Sequence, residues 1–273
     1  MSEKVYKFLK SLIPFAVYVG GMLVVFTVYS IYASSVTSDF NEAEKFVNSH
    51  LLELTTVIDA LLIPVFYLMW RNDRRTFPIK RSNMPAFSWS ILVLIGASSC
   101  VALNYFLNMF MPEAILESYS ETSEVLWNEN QKWLSILSVV IVAPLCEELM
   151  FRGLIYTRMR TLLRAPYVIL ISGFLFGFFH GNALQFIYAM ALGMLLAYVM
   201  EAYRSIWAPI MVHVAANLIS WLLTYIVFIP SDENGALDYS VLAGTMLITA
   251  TGLFGIVYIR KVKNRKPKSE EEK

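Results

Sequence analysis

The sequence predicts an all-α fold, a polytopic integral membrane helical bundle of about eight transmembrane helices. Three observations carry this: the composition, the length of the apolar runs and the alternation of charge between them. Of 273 residues, 57% are apolar and 16% charged, well below the roughly 25% charge of an ordinary soluble domain. The apolar residues gather into runs of about twenty, the length that crosses a bilayer. With 2 Cys, 12 Gly and 10 Pro, a disulfide scaffold and a collagen-like repeat are excluded, and the apolar content excludes general disorder.

The runs are, in order, Leu12 to Tyr32, Leu51 to Trp70, Phe87 to Met111, Trp133 to Phe151, Pro166 to Asn182, Leu184 to Ala202, Ile206 to Phe228 and Tyr239 to Ile259. The first is too long for a signal-peptide core and lacks a small-residue cleavage site, so it reads as a retained helix. Between Met111 and Gln131, charge and Pro112 indicate an outer loop with room for an interfacial helix. Residues 1–260 form one transmembrane domain, with a functional core at about 133–228. Residues 261–273, basic and then acidic, are expected to be a disordered cytoplasmic tail.

Charge sets the topology. Lys4, Lys7 and Lys10, the group Arg71, Arg74, Arg75, Lys80 and Arg81, then Arg152, Arg158, Arg160 and Arg164, Arg204, and the bases from Arg260 onward put 20 of the 22 Lys and Arg on one side. The other side holds Asp39, Glu42, Glu44, Glu113, Glu117, Glu121, Glu124, Glu129, Asp232, Glu233 and Asp238, with Lys45 and Lys132. The positive-inside rule then places both termini in the cytoplasm. Localisation is expected to be a bacterial plasma membrane. The net charge of +1 conceals this separation and points to no nucleic acid.

An ionised side chain near the bilayer centre costs about 2.5 to 3.5 kcal/mol on insertion scales, so such groups pair or line a hydrated cavity. Apart from Glu53 and Glu201 at span ends, the candidates are Asp59, Glu147, Glu148, His180 and His213. Glu148 and Arg152, four apart, share a helix face in the favourable order for an ion pair, a supporting role. Glu147, turned by about 100°, points elsewhere and is the better candidate for chemistry. His213 with Asn217 and Phe176 with His180 are also four apart. At about 1.5 Å of rise per residue, Glu147 lies about 16 to 20 Å from Arg158 and Arg160, His180 about 18 Å from Val168, and His213 about 14 Å from Arg204, so the depths agree. A fourth helix leaving the membrane at Arg152 would instead make Glu147 shallower by about 9 Å.

A carboxylate in an apolar pocket can act as general base on water, with an imidazole orienting that water. His213 and the Asn217 amide can donate to the oxygen that becomes negative in a tetrahedral intermediate. Alternatively Glu147, His180, His213 and a water could hold Zn or another divalent metal in an open tetrahedral site. No HExxH helix favours zinc, and the residues leave the cofactor open between a metal and none.

EELMFR at Glu147 to Arg152, FGFFH at Phe176 to His180 and HVAAN at His213 to Asn217 match, in order, Glu-Glu-x-x-x-Arg, Phe-x-x-x-His and His-x-x-x-Asn. On successive membrane helices they resemble the signature of the CPBP family, the CAAX proteases and bacteriocin-processing enzymes also called the Abi family, relatives of the Rce1-type CAAX prenyl endopeptidase. The resemblance covers Pro144 to Asn217 directly and the first three spans by topology alone. It implies an intramembrane endopeptidase, glutamate-type or metalloprotease. Glu147 would be the water-activating base with His180 beside it, His213 and Asn217 would stabilise the oxyanion (His213 a ligand in the metal version), and Glu148 and Arg152 would support the site. The implied partners are a peptide or membrane-protein substrate and membrane lipid, with no oligomeric state specified.

Three rivals compete with this reading. Cys146 beside Glu147 could be a nucleophile with His180, although a buried thiol is ordinarily inert. Asp59 with Glu147 and the two His could form the proton relay of a transporter, although paired repeats are not evident. A noncatalytic scaffold or bacteriocin-immunity protein could keep the same fold.

Overall fold

The protein is described from a computed structural model covering residues 3–76, 86–117, 123, 131–225 and 239–264. These residues are helical, without strands. In chain order the helices are α1 Glu3–Ser11, α2 Ile13–Val36, α3 Phe40–Asn48, α4 Leu51–Thr76, α5 Phe87–Phe110, α6 Glu113–Glu117, α7 Lys132–Met159, α8 Ala165–Phe179, α9 Ala183–Tyr203, α10 Trp207–Tyr225 and α11 Tyr239–Asn264. Six of them (α2, α4, α5, α7, α9 and α10) are long and apolar enough to cross a membrane, and α8 and the Ala243–Gly255 part of α11 are shorter apolar helices. The all-α bundle stands, with six long spans where the apolar runs suggested about eight.

Two boundaries differ from the sequence reading. α7 does not end at Arg152 but continues to Met159, so the deeper placement of Glu147 holds. α11 continues through Asn264, so the tail begins later than residue 261; residues 265–273, like the loop at 124–130, lie outside the described part.

α7 is the axis of the bundle, in contact with α2, α4, α8, α9 and α10. Its middle is unusual: π-helical stretches at Ile136–Val142 and Leu149–Tyr156 flank the α-helical Ala143–Glu148. All residues from Leu149 to Tyr156 are buried, Met150, Phe151, Leu154 and Ile155 completely. In a bilayer such a core is held by close packing rather than by exclusion of apolar surface from water. α8 supplies the tightest contact through Gly173 and Gly177, a small-x-x-x-small pair. A Cβ on Gly177 would come 2.6 Å from the Phe186 carbonyl oxygen, and one on Gly173 would come 2.9 Å from that of Met190, both on α9.

The turn joining these helices is compact. Gly181 takes φ of +72°, a conformation that costs glycine little. Asn182 then caps α9, its Oδ1 accepting from the backbone of Leu184 at 2.9 Å and Gln185 at 3.2 Å. His180 is thereby fixed at the last turn of α8, facing α9.

Candidate functional site

A cavity of about 520 Å³ opens among α2, α4, α5, α7, α8, α9 and α10. Glu147, His180, His213 and Asn217 all line it, so three helices bring their polar groups to one pocket as the depths required. Glu147 and His213 are buried, whereas His180 and Asn217 are half-buried. Glu148 and Arg152 lie behind the wall with no exposed surface.

That wall is built outward from Arg152. Its Nη1 donates to Glu148 Oε1 at 2.8 Å and its Nη2 to the Gly193 carbonyl at 2.8 Å. The same Glu148 oxygen lies 3.0 Å from His213 Nδ1. A carboxylate only accepts, so His213 donates through Nδ1–H and turns Nε2 toward Glu147, whose Oε2 is 3.8 Å away. His180 follows the same rule: Nδ1 donates to the Phe176 carbonyl at 2.8 Å, leaving Nε2 for the cavity. One Asn217 N–H goes to the Val139 carbonyl at 2.8 Å, in the first π-helical stretch, and its second N–H remains for a ligand.

Phe176 couples the three motifs. Its ring centroid lies 5.0 Å from that of His180 and 5.6 Å from that of His213, and the Arg152 guanidinium sits 4.5 Å above the same ring. The Phe of the Phe-x-x-x-His motif is thus a spacer between two imidazoles and a cation–π partner for the buried charge.

Cys146 is completely buried and does not line the cavity; its thiol contacts Asp59, which is no place for a nucleophile paired with His180. Asp59 lines the cavity and accepts a hydrogen bond from the Tyr18 hydroxyl at 2.9 Å. Tyr18, missed in the sequence, carries no signal there, being one of 15 tyrosines. Among the described residues, no three His, Cys, Asp or Glu side chains gather to hold one metal ion. Glu147, His180 and His213 therefore do not form the ligand set of the zinc alternative, with His180 held off by its bond to the Phe176 carbonyl, and no step below runs through a metal.

Neither a curated protein nor a solved structure gave a match to the chain. Residues 129–219 match the family described as type II CAAX prenyl endopeptidase Rce1-like, a segment holding α7 to α10 and every motif residue named above. The family is one of membrane endopeptidases, and the apolar helices agree with a multi-pass membrane protein. Through that segment, and the three motifs folded around one buried pocket within it, the chain belongs to the Rce1-like family.

Proposed function

We propose that the protein is an intramembrane endopeptidase that hydrolyses a peptide bond with a water activated by Glu147. The observation that supports this most is the position of His213, between Glu148 at 3.0 Å and Glu147 at 3.8 Å, on the wall of a cavity that also holds His180 and Asn217. The 3.8 Å gap lets one water oxygen reach both Glu147 and His213 Nε2 at hydrogen-bond distance.

In this reading Glu147 takes a proton from that water as the resulting hydroxide bonds to the scissile carbonyl carbon. His180, with Nε2 toward the cavity, orients the water. The carbonyl π electrons move to oxygen, and this oxyanion is met by the second Asn217 N–H and by a proton on His213 Nε2. Collapse breaks the C–N bond, and the proton held by Glu147 passes to the departing amine. Glu148 and Arg152 touch no substrate; they hold the His213 ring in register.

Comparative peptidomics of membranes carrying wild type or Glu147→Ala tests the assignment. Peptides that depend on Glu147 support it and name the substrate. Identical peptide profiles, or a folded Glu147→Ala protein that keeps its full biological role, would favour the scaffold reading.

A further inference from the structure

The cavity is one-sided. On α4 its wall draws on residues 52–59, on α5 on 100–108, on α8 on 176–180 and on α9 on 184–192. In each helix this is the half nearer the loops that carry Asp39, Glu42, Glu44 and Glu113. Leu116 of α6, beyond the end of α5, faces the cavity from the same side. Asn104, Asn108, Ser138 and Ser220 line this outer half, and such polar groups at membrane depth need water or a polar ligand.

The other direction is plugged. Below Glu147, α7 is buried from Leu149 to Tyr156, and the Arg152 side chain fills the gap toward Gly193. Further along, the Arg158 guanidinium pairs with Asp73 at 2.6 Å and that of Arg160 with Glu201 at 3.0 Å, closing the face that carries the basic loops. With 20 of 22 Lys and Arg on the plugged side, the positive-inside rule assigns that side to the cytoplasm.

We propose that the cavity is filled from the non-cytoplasmic face, and that its substrate is a polypeptide segment presented there: an exported peptide or the outer end of a membrane helix. A C-terminal tail in the cytoplasm would arrive on the sealed side. The word substrate rests on the peptidase reading above; the direction of access does not.

The test uses the full chain in a bacterial host, with Cys100→Ala and Cys146→Ala as background and single cysteines at Asn108→Cys, Ser220→Cys or Arg71→Cys. Asn108 and Ser220 line the cavity, and Arg71 is exposed on the basic face. A membrane-impermeant maleimide is expected to label Asn108→Cys and Ser220→Cys in sealed spheroplasts, and Arg71→Cys only in inverted vesicles. Labelling of both cavity positions only from the Arg71 side would overturn the proposal. A fluorogenic peptide library added to the same preparations reads the substrate side. Cleavage in spheroplasts that is lost in Glu147→Gln supports the proposal, and Glu147-dependent cleavage confined to inverted vesicles refutes it. Expected labelling without Glu147-dependent cleavage from either side would instead sink the peptidase reading while upholding the direction of access.

Discussion

His213 gives its Nδ1 proton to Glu148 across 3.0 Å, on the same carboxylate oxygen that takes Arg152 at 2.8 Å. One buried oxygen therefore fixes the tautomer of a cavity imidazole and neutralises a guanidinium that has no exposed surface. The consecutive glutamates divide the labour, with Glu147 toward the cavity and Glu148 toward the protein.

Replacing Glu148 should therefore affect two properties that can be separated. Glu148→Leu strands the Arg152 charge, and removing one partner of a buried pair costs about 3 to 5 kcal/mol, so thermal unfolding in detergent should fall sharply. The double variant Glu148→Leu/Arg152→Met removes both charges and should regain most of that stability. Turnover should stay low in the double variant, because His213 still lacks its acceptor. Full activity there would show that the His213 tautomer is not set by Glu148.

At the cavity itself, Glu147→Gln keeps size and shape and should leave stability nearly unchanged. Loss of a general base lowers turnover by about 10² to 10⁴, and His180→Ala should be comparably inactive. Asn217→Ala should be severely reduced, losing both the oxyanion donor and the bond to Val139. Cys146→Ala should stay near wild type. Activity lost in Cys146→Ala and kept in Glu147→Gln would reverse the mechanism. Chelation should leave Glu147-dependent turnover intact; loss restored by a divalent ion would assign a metal.

The parts of this site that were legible in the sequence share a physical cause. Charged and imidazole groups are expensive inside a bilayer, so Glu147, Glu148, His180 and His213 stand out within apolar runs, and helical spacing separates Glu147 from the Glu148–Arg152 pair. Tyr18 was not legible because a tyrosine on a membrane helix is common at interfaces and in packing alike. The π-helical stretches of α7 were hidden because a shift in hydrogen-bond register leaves no mark on residue type. Phe176 was visible as a motif position, whereas its place between two imidazoles depends on how α8 meets α7 and α10. Asp59 was conspicuous, but its bond to Tyr18 and contact with Cys146 are properties of the fold.

Asp59 also allows the transporter reading to be tested. A relay needs a polar path to both faces, and below Glu147 the polar chain ends on the Gly193 carbonyl among the buried Met150, Leu154 and Ile155. Proton flux through the reconstituted protein in liposomes should therefore stay at background. Tyr18→Phe should lower stability by about 1 to 3 kcal/mol, since Asp59 loses a buried donor. Flux above background that vanishes in Asp59→Asn would restore the transporter.

Gly177→Ala tests whether the α8–α9 contact positions His180. The added methyl would meet the Phe186 carbonyl oxygen at 2.6 Å and Met190 Cβ at 3.0 Å; backbone atoms on a packed helix cannot swing aside as a flexible side chain does. Overpacking of this kind costs about 1 to 3 kcal/mol, and relief requires α8 to move away from α9. His180 lies three residues further along α8, its ring oriented by the Phe176 carbonyl one residue before Gly177. Gly177→Ala should thus lower turnover more than its loss of stability explains, with the fraction folded checked by detergent-solubilised unfolding at the assay temperature. Gly20→Ala is the control, because a Cβ there meets nothing within 4 Å, and it should leave both properties unchanged. Equal behaviour of the two variants would show that α8 is free to adjust and that His180 is positioned by its own bond to Phe176 alone.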